Sequence, residues 1–271
     1  GIEVPIVGVG KLGYPDLAEK ALREGMCDMV MLGRPLLADP EWPNKAYSGR
    51  VSEICPCIGC QEGCINEFVE GGHPQCAVNP RTSFEHIFPR APQKAEKIKN
   101  IAVLGAGPAG ITFALEASKR GHTVTLFEKS DKVGGKTLCG SVPKGKFDFD
   151  NYRIYLENTL KKACDEGKIS LKLNCTLTAD QIKDLGFDTV ITAVGTKSSV
   201  PQIKGVEKVK TVLATDLLAD PKKMENAENI VVVGGGIVGC ETAYWLSYEY
   251  AKKVTVIEML PYMMEGICTA N

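Results

Sequence analysis

The first fifty residues combine two short apolar runs with one amphipathic segment. Residues 4–9 and 28–33 are the apolar runs, and each of them includes or ends at a glycine. Residues 15–24 place apolar positions at helical spacing, with Asp16 near the start and Gly25 after the end. This pattern predicts strand, helix, strand, with the two strands parallel. Because a parallel sheet needs cover on both faces, we expect this region to be the end of a larger structure.

The second half of the chain carries a strand–helix–strand pattern twice. Strands are predicted over residues 101–104, 123–128, 188–193, 230–233 and 253–258, and helices over residues 110–120 and 240–249. A doubly wound domain needs more strands than the second copy contains, so we expect this copy to be incomplete. Residues 51–89 lie between the two halves and have little periodicity but many Cys and Gly residues. They predict a loop-rich segment organised by a ligand.

Composition narrows the class of protein. The chain has 271 residues, of which 44% are hydrophobic, and a formal net charge of −1, which is typical of an ordinary folded protein. Near-neutral charge argues against a nucleic-acid binder, because phosphate contacts need a basic face. The sequence contains no run of about 18 apolar residues, so no membrane span is predicted, and residues 1–10 lack the pattern of a secretory signal. We therefore expect a cytoplasmic protein of about two domains.

The cysteines point to one metal centre. Of the 11 in the chain, Cys57, Cys60, Cys64 and Cys76 follow the spacing C-x2-C-x3-C-x11-C. Four thiolates suit either tetrahedral zinc or an iron–sulfur cluster. Zinc sites tend to repeat C-x2-C pairs and this spacing does not, so it favours a [4Fe–4S] cluster, with zinc or buried thiols as the alternatives. Cys55 lies before the first ligand, and we expect it not to bind the cluster; the alternative is that it substitutes for one of the four ligands.

Two glycine-rich turns each stand between a predicted strand and a predicted helix. They carry the pattern GxGxxG at Gly105, Gly107 and Gly110, and again at Gly234, Gly236 and Gly239. The first glycine allows a tight turn, the second lets the backbone approach a pyrophosphate, and the third lets helix and strand pack closely. Glu128 and Glu258 follow about twenty residues on, where an acid takes a ribose hydroxyl. At Glu258 this favours NAD(H) over NADP(H).

The alternatives to these two sites are structural. The first turn could be a glycine-rich loop without a ligand. The second could belong to a degenerate nucleotide fold that only packs or binds a bare nucleotide. At the start of the chain, Gly10 and Lys11 follow the first predicted strand, and Gly33 and Arg34 follow the second. Main-chain amides with a guanidinium form an anion site, although Arg34 could instead be a structural arginine on a loop.

The order of these features resembles the 2-enoate reductase and 2,4-dienoyl-CoA reductase group of Old Yellow Enzyme-related NADH:flavin oxidoreductases. Residues 28–40 resemble its eighth barrel strand and FMN-phosphate loop, and residues 57–80 resemble its cluster segment. Residues 133–136 and 192–196 resemble later FAD elements. The implied fold is α/β: the last two strands of a TIM barrel, a Cys-rich Fe–S segment, then tandem Rossmann-like FAD and NAD(P) folds, the last incomplete. The implied units are the barrel end over residues 1–50, the Fe–S segment and linker over 51–90, the FAD fold over 91–225 and the NAD(H) fold over 226–271.

The resemblance also implies which residues hold each cofactor. For FMN they are Gly10, Lys11, Gly33 and Arg34; for the cluster, Cys57, Cys60, Cys64 and Cys76; for FAD, Gly105, Gly107, Gly110, Glu128 and Gly135; and for NAD(H), Gly234, Gly236, Gly239 and Glu258. Lys11 stands where relatives often carry Arg, so a point charge replaces a planar fork and the contact is expected to be weaker.

The implied activity passes electrons from NADH through FAD and the cluster to FMN, which reduces an activated C=C bond of a small enoate or enone substrate. The resemblance implies that six strands of the family's barrel fall outside this sequence, and no catalytic acid is predicted in it. Two other hypotheses are a stand-alone FAD/Fe–S module serving a redox partner, and a truncated fragment without function. The sequence specifies neither the substrate, nor the reaction direction, nor the oligomeric state.

Overall fold

The structure is a computed structural model that describes residues 3–88 and 92–265. The described strands, β1 to β8, are Val7–Val9, Met29–Met31, Asn100–Leu104, Thr123–Phe127, Ile169–Lys172, Thr189–Thr192, Asn229–Val233 and Lys253–Ile257. The described α-helices, α1 to α10, are Pro15–Arg23, Arg34–Ala38, Trp42–Tyr47, Glu67–Val69, Pro108–Lys119, Thr137–Gly140, Phe147–Asp165, Ala179–Asp184, Ala214–Ala219 and Ile237–Tyr250. All described strand pairs are parallel, which confirms the α/β class.

The amino-terminal region has the predicted strand–helix–strand form. Strands β1 and β2 pair in parallel, with Val7 opposite Met29 and Val9 opposite Met31. Both strands are three residues long, shorter than the apolar runs predicted. Helix α1 connects them, and helices α2 and α3 follow β2. The indole N–H of Trp42 in α3 donates a hydrogen bond of 2.8 Å to the carbonyl of Gly13 and so ties α3 back to the loop after β1.

The main core surrounds a four-stranded sheet with the order β5-β4-β3-β6. Helices α5 and α7 pack together and against its strands. The apolar side chains that fill this core are Ile101, Val103, Ile111, Ala114, Val124, Leu126, Leu156 and Leu160. Strands β3 and β4 are the two central strands, and all of their fully buried residues are apolar, as expected for parallel strands covered on both faces.

Helix α7 is the main element that the sequence analysis missed. It runs from Phe147 to Asp165, and Tyr152, Leu156, Leu160 and Ala163 are its buried positions. Their spacing of three and four residues is the signal for one apolar helical face. Its charged residues on the other positions dilute the apolar pattern in the sequence.

A second, smaller core lies beside strands β7 and β8. It consists of Leu217, Leu218, Met224, Trp245 and Leu246. Helix α10 packs on this two-stranded sheet, as the second copy of the strand–helix–strand pattern predicts. Within residues 3–88 and 92–265, no helix combines the length and the apolar character needed to cross a membrane. The boundary expected at residues 90 and 91 lies outside the described residues.

Candidate functional site

The first glycine turn has the geometry that its sequence predicts. Gly105 adopts a φ of +103°, a conformation that L side chains rarely reach, and its N–H donates a hydrogen bond of 2.8 Å to the carbonyl of Phe127. Gly107 precedes helix α5 in an extended conformation. A Cβ at Gly110 would lie 1.9 Å from the carbonyl oxygen of Gly105, so helix and turn approach each other more closely than any other residue allows.

Glu128 closes this turn from the end of β4. One of its carboxylate oxygens accepts a hydrogen bond of 2.8 Å from the N–H of Ala106. The other accepts bonds from the N–H and the hydroxyl of Ser130, at 3.0 and 2.9 Å. Burial raises the pKa of Glu128, which is 7% exposed, but these donors outweigh burial and hold the pKa below its usual value. The carboxylate is therefore ionised at neutral pH.

Two further segments that resemble FAD elements meet the first turn. The N–H of Gly134 donates a hydrogen bond of 2.7 Å to the carbonyl of Ala106, and a Cβ at Gly135 would lie 3.1 Å from the Cα of Gly107. The amine of Lys136 donates a bond of 2.7 Å to the hydroxyl of Thr196. The predicted FAD-binding glycines thus lie together on two segments, residues 105–110 and 133–136, and the segment 192–196 contacts the second of these.

The second glycine turn repeats the first. Gly234 has a φ of +106°, and its N–H donates a bond of 2.9 Å to Ile257. A Cβ at Gly239 would lie 1.9 Å from the carbonyl oxygen of Gly234. Gly236 is extended before helix α10. Both turns thus satisfy the same steric conditions for approach of a pyrophosphate to a helix N-terminus.

Glu258 occupies the position in the second turn that Glu128 occupies in the first. The N–H groups of Gly235 and Leu260 donate to its carboxylate at 2.5 and 2.9 Å. The bond from Leu260 and then that from Gly235 lower the pKa of Glu258. The repeat extends further. The N–H of Met264 donates a hydrogen bond of 2.7 Å to the carbonyl of Gly235, just as the N–H of Gly134 donates to the carbonyl of Ala106 in the first turn.

The four predicted cluster cysteines line one pocket. Cys57, Cys60, Cys64 and Cys76 enclose it together with Arg34, and its empty volume is about 290 Å³. The chain bends around it at a π-helical turn, Glu62–Asn66, that continues into α4. Burial raises the pKa of the Cys57 and Cys76 thiols, and nearby N–H groups oppose that effect. In the described part of the chain, no group of three or more His, Cys, Asp or Glu side chains converges on a single metal ion.

Cys55 lies apart from this pocket, in the main core. Burial, followed by the neighbouring Asp39 carboxylate, raises the pKa of its thiol to about 12. Asp39 is itself buried, and it accepts hydrogen bonds from the Cys55 N–H at 2.9 Å and the Lys45 amine at 2.6 Å. This contact fixes the start of the cysteine segment to the loop after α2.

A second attachment lies beyond the last cysteine of the pocket. The side-chain amide of Asn79 and the hydroxyl of Thr82 both donate to the carbonyl of Leu37 in α2, at 2.8 and 2.9 Å. The cysteine segment is therefore held at both ends by the amino-terminal region. Sequence reasoning missed Asp39, Asn79 and Thr82, because their partners are distant in the chain.

Two of the four predicted FMN-phosphate residues line a cavity beside the cysteine pocket, whereas the other two, Gly10 and Gly33, are not among its lining residues. Lys11 and Arg34 line it, as do Cys57 and Asp148, and its empty volume is about 420 Å³. Gly10 and Lys11 both have positive φ, at +110° and +53°. Lys11 forms an ion pair with Asp148 of α7. In the described residues, the side chain of Arg34 has neither a hydrogen-bond nor an ion-pair partner.

Comparison with known protein families gives one match for the amino-terminal region and another for the rest of the chain. Residues 99–270 match the model of the pyridine nucleotide-disulphide oxidoreductase family. Residues 1–53 match that of the NADH:flavin oxidoreductase / NADH oxidase family. The second match fits a short TIM-barrel end, and the first fits a Rossmann-type domain.

Individual relatives agree with the family matches. NADH oxidase of Thermoanaerobacter brockii is 41% identical over 262 residues, which cover 96% of this chain and 39% of that protein. Cinnamate reductase of Clostridium sporogenes is 38% identical over 273 residues, which cover 100% of this chain and 39% of that protein. This chain therefore spans about two fifths of the length of the curated relatives it matches.

Among solved structures, a 2-naphthoyl-CoA reductase complex superimposes with a TM-score of 0.91 at 34% identity, over 100% of this chain and 40% of that one. Histamine dehydrogenase from Rhizobium sp. 4-9 superimposes with a TM-score of 0.78 at 26% identity, over 96% of this chain and 39% of that one. All four relatives are oxidoreductases by name, and the resemblance inferred from the sequence is confirmed. The chain belongs to the pyridine nucleotide-disulphide oxidoreductase family, and its amino-terminal match to the NADH:flavin oxidoreductases gives the combination expected of the Old Yellow Enzyme-related enoate reductase group.

Proposed function

We propose that this chain is the electron-transfer part of an NADH-dependent flavin and iron–sulfur oxidoreductase that reduces an activated C=C bond in a small enoate or enoyl-type substrate. The names of two relatives, cinnamate reductase and 2-naphthoyl-CoA reductase, support the substrate class. The proposed units are a barrel end over residues 1–50, a cluster segment over 51–90, an FAD fold over 91–225 and the start of an NAD(H) fold over 226–271.

The observation that carries this proposal is the contiguity of two cavities. Cys57 and Arg34 line both the four-cysteine pocket and the cavity that contains Lys11. A cluster in the first and a flavin phosphate in the second would therefore be neighbours. Such an arrangement suits single-electron exchange between two redox groups, and it has no evident use in a protein that only binds nucleotides.

The donor set of the cysteine pocket suits a cluster better than a single ion. Each iron of a [4Fe–4S] cluster takes one thiolate, so the four sulfurs surround the cluster instead of converging on one point. Four cysteines around one pocket, without the repeated C-x2-C pairs that zinc sites tend to have, fit that requirement. The raised pKa of the Cys57 and Cys76 thiols means that iron would displace their protons as it binds.

The two glycine turns would hold the two dinucleotides. Gly105, Gly107 and Gly110 with Gly135 would hold the FAD pyrophosphate, and Glu128 would orient the ribose hydroxyls. Gly234, Gly236 and Gly239 would do the same for NAD(H), with Glu258 disfavouring a 2′-phosphate. Gly10, Lys11, Gly33 and Arg34 would hold the FMN phosphate. When bound, NAD(H) and FAD supply hydride transfer, the cluster supplies single-electron transfer, and FMN delivers hydride to the substrate.

Anaerobic reduction by NADH tests the proposal in the full-length protein. We expect NADH to reduce FAD in the wild type and in Cys60→Ser, but to reduce FMN rapidly only in the wild type. Cys164→Ser is the matched control, because Cys164 lies on α7 outside both cavities, and it should behave as the wild type. Retained FAD would show that Cys60→Ser is folded. FMN reduction at the wild-type rate in Cys60→Ser would contradict the proposed path.

A further inference from the structure

Lys11 and Tyr14, in the loop after β1, contact the first turn of helix α7. The Lys11 amine forms an ion pair with one carboxylate oxygen of Asp148, and the Tyr14 hydroxyl donates a hydrogen bond to the other. The Lys11 amine also lies 5.0 Å from the ring centroid of Phe147, within the range of a cation–π contact. A residue of the FAD-binding fold thus reaches the predicted FMN-phosphate loop, more than 130 residues away in the chain.

Gly59, which lies between Cys57 and Cys60, is also close to this contact. A Cβ at Gly59 would lie 3.1 Å from an oxygen of Asp148 and 3.9 Å from the Lys11 amine. The side chain of Asp148 is only 14% exposed, whereas that of Lys11 is 60% exposed. The carboxylate is therefore a fixed, poorly hydrated negative charge at the wall of the cavity that Lys11 and Arg34 line.

The two cations of this cavity differ in one respect. Arg34 has no hydrogen-bond or ion-pair partner in the described residues, whereas Lys11 is engaged by Asp148. A phosphate in the cavity would meet the free guanidinium and an ammonium whose charge is already offset. An anion and the Asp148 carboxylate would share Lys11 and repel each other.

We propose that Asp148 lowers the affinity of the barrel end for its phosphate ligand by sharing Lys11 with it, so that a residue of the FAD-binding fold sets how tightly FMN is held. This inference rests on the proposed function. Because such coupling is reciprocal, a bound phosphate also weakens the contact between the barrel end and α7. FMN occupancy and the contact between α7 and the barrel end are thereby linked through the ammonium group of Lys11.

Equilibrium dialysis of the full-length protein against FMN, and separately against inorganic phosphate, tests this proposal. Asp148→Asn should bind both ligands at least about fivefold more tightly than the wild type, the lower end of typical coupling between sites. Asp150→Asn is the matched control: Asp150 lies in the same helical turn, pairs with Arg153, and does not line the cavity. It should leave both dissociation constants unchanged. Unchanged FAD content in every variant shows that the fold is intact.

The same dialysis in a Lys11→Met background tests whether Asp148 acts through Lys11. There, adding Asp148→Asn should tighten binding clearly less than it does when Lys11 is present, because the shared cation is gone and only the direct repulsion between carboxylate and anion is removed. Weaker or unchanged binding in the single Asp148→Asn variant would overturn the proposal, and so would equal tightening with and without Lys11. A protein that binds phosphate but not FMN would refute the FMN assignment, while the phosphate comparison would still test Asp148.

Discussion

The backbone N–H of Ala106 donates a hydrogen bond of 2.8 Å to the carboxylate of Glu128. The bond joins the middle of the first glycine turn to the end of the neighbouring strand, and Gly235 and Glu258 repeat it in the second turn. Each acid therefore shapes its turn, in addition to the contact with a ribose that is proposed for it. Their removal should affect one nucleotide site at a time.

Replacing Glu128 by Ala should lower FAD affinity and stability together. The N–H groups of Ala106 and Ser130 would lose their acceptor, and losing hydrogen bonds to a buried charged group costs about 2 kcal/mol. Equilibrium unfolding and bound-flavin absorbance measure the two effects. Glu258→Ala serves as the comparison, because it should weaken NADH binding and leave FAD content unchanged. Loss of FAD in both variants would argue against separate sites.

The stability contributed by Glu128 should depend on pH. Its folded pKa lies below the usual 4.5, so its contribution is fully present above about pH 4.5 and is lost as the pH falls through the folded value. Urea unfolding between pH 3 and pH 7 should therefore show a steeper acid-side loss in the wild type than in Glu128→Gln. Parallel curves for the two proteins would contradict the hydrogen-bonded carboxylate described above.

A methyl group at the third glycine of either turn should abolish that site. In Gly110→Ala the new Cβ would clash with the carbonyl of Gly105, and in Gly239→Ala with that of Gly234. We expect the first variant to lose FAD and the second to lose NADH binding while keeping FAD. Flavin absorbance and NADH fluorescence titration report the two outcomes. Gly145→Ala is the control, because nothing lies within 4 Å of its Cβ position.

The buried ion pair of Asp39 and Lys45 should be needed to hold the cysteine segment. Asp39→Asn would leave Lys45, whose side chain is 19% exposed, without its counter-charge and would weaken the bond to the Cys55 N–H. Breaking one half of a buried pair costs about 3 kcal/mol, and iron content should fall with stability. Asp165→Asn, which breaks the exposed pair with Lys161, should change neither quantity measurably. Equal losses in both variants would refute this role.

Glycine spacing predicted the two nucleotide turns because steric limits act within a few residues. The clash expected at Gly110 and Gly239 follows from local chain geometry, which a GxGxxG pattern encodes directly. The acids that follow are also local, since Glu128 and Glu258 end the very next strand of each copy. The structure places all of them as the sequence predicts, although their binding roles stay predictions.

Contacts that join the regions could not be predicted in the same way. The pairing of Lys11 with Asp148 depends on how α7 lies against the loop after β1, and α7 itself was missed. Asp39 falls within residues 28–40, whose pattern predicts only the barrel end, although it is a buried acceptor for the cysteine segment. Such partners are set by tertiary packing, so no spacing rule relates them.

The amounts of iron, FAD and FMN in the anaerobically purified protein decide whether the four-cysteine pocket holds an electron-transfer cluster. We expect about four irons and one FAD per chain, with iron lost in Cys60→Ser and retained in Cys164→Ser. FMN should be found as well when the purified protein includes the whole barrel. One zinc per chain, or FAD without iron in the wild type, would contradict the assignment of the four-cysteine pocket to an electron-transfer cluster.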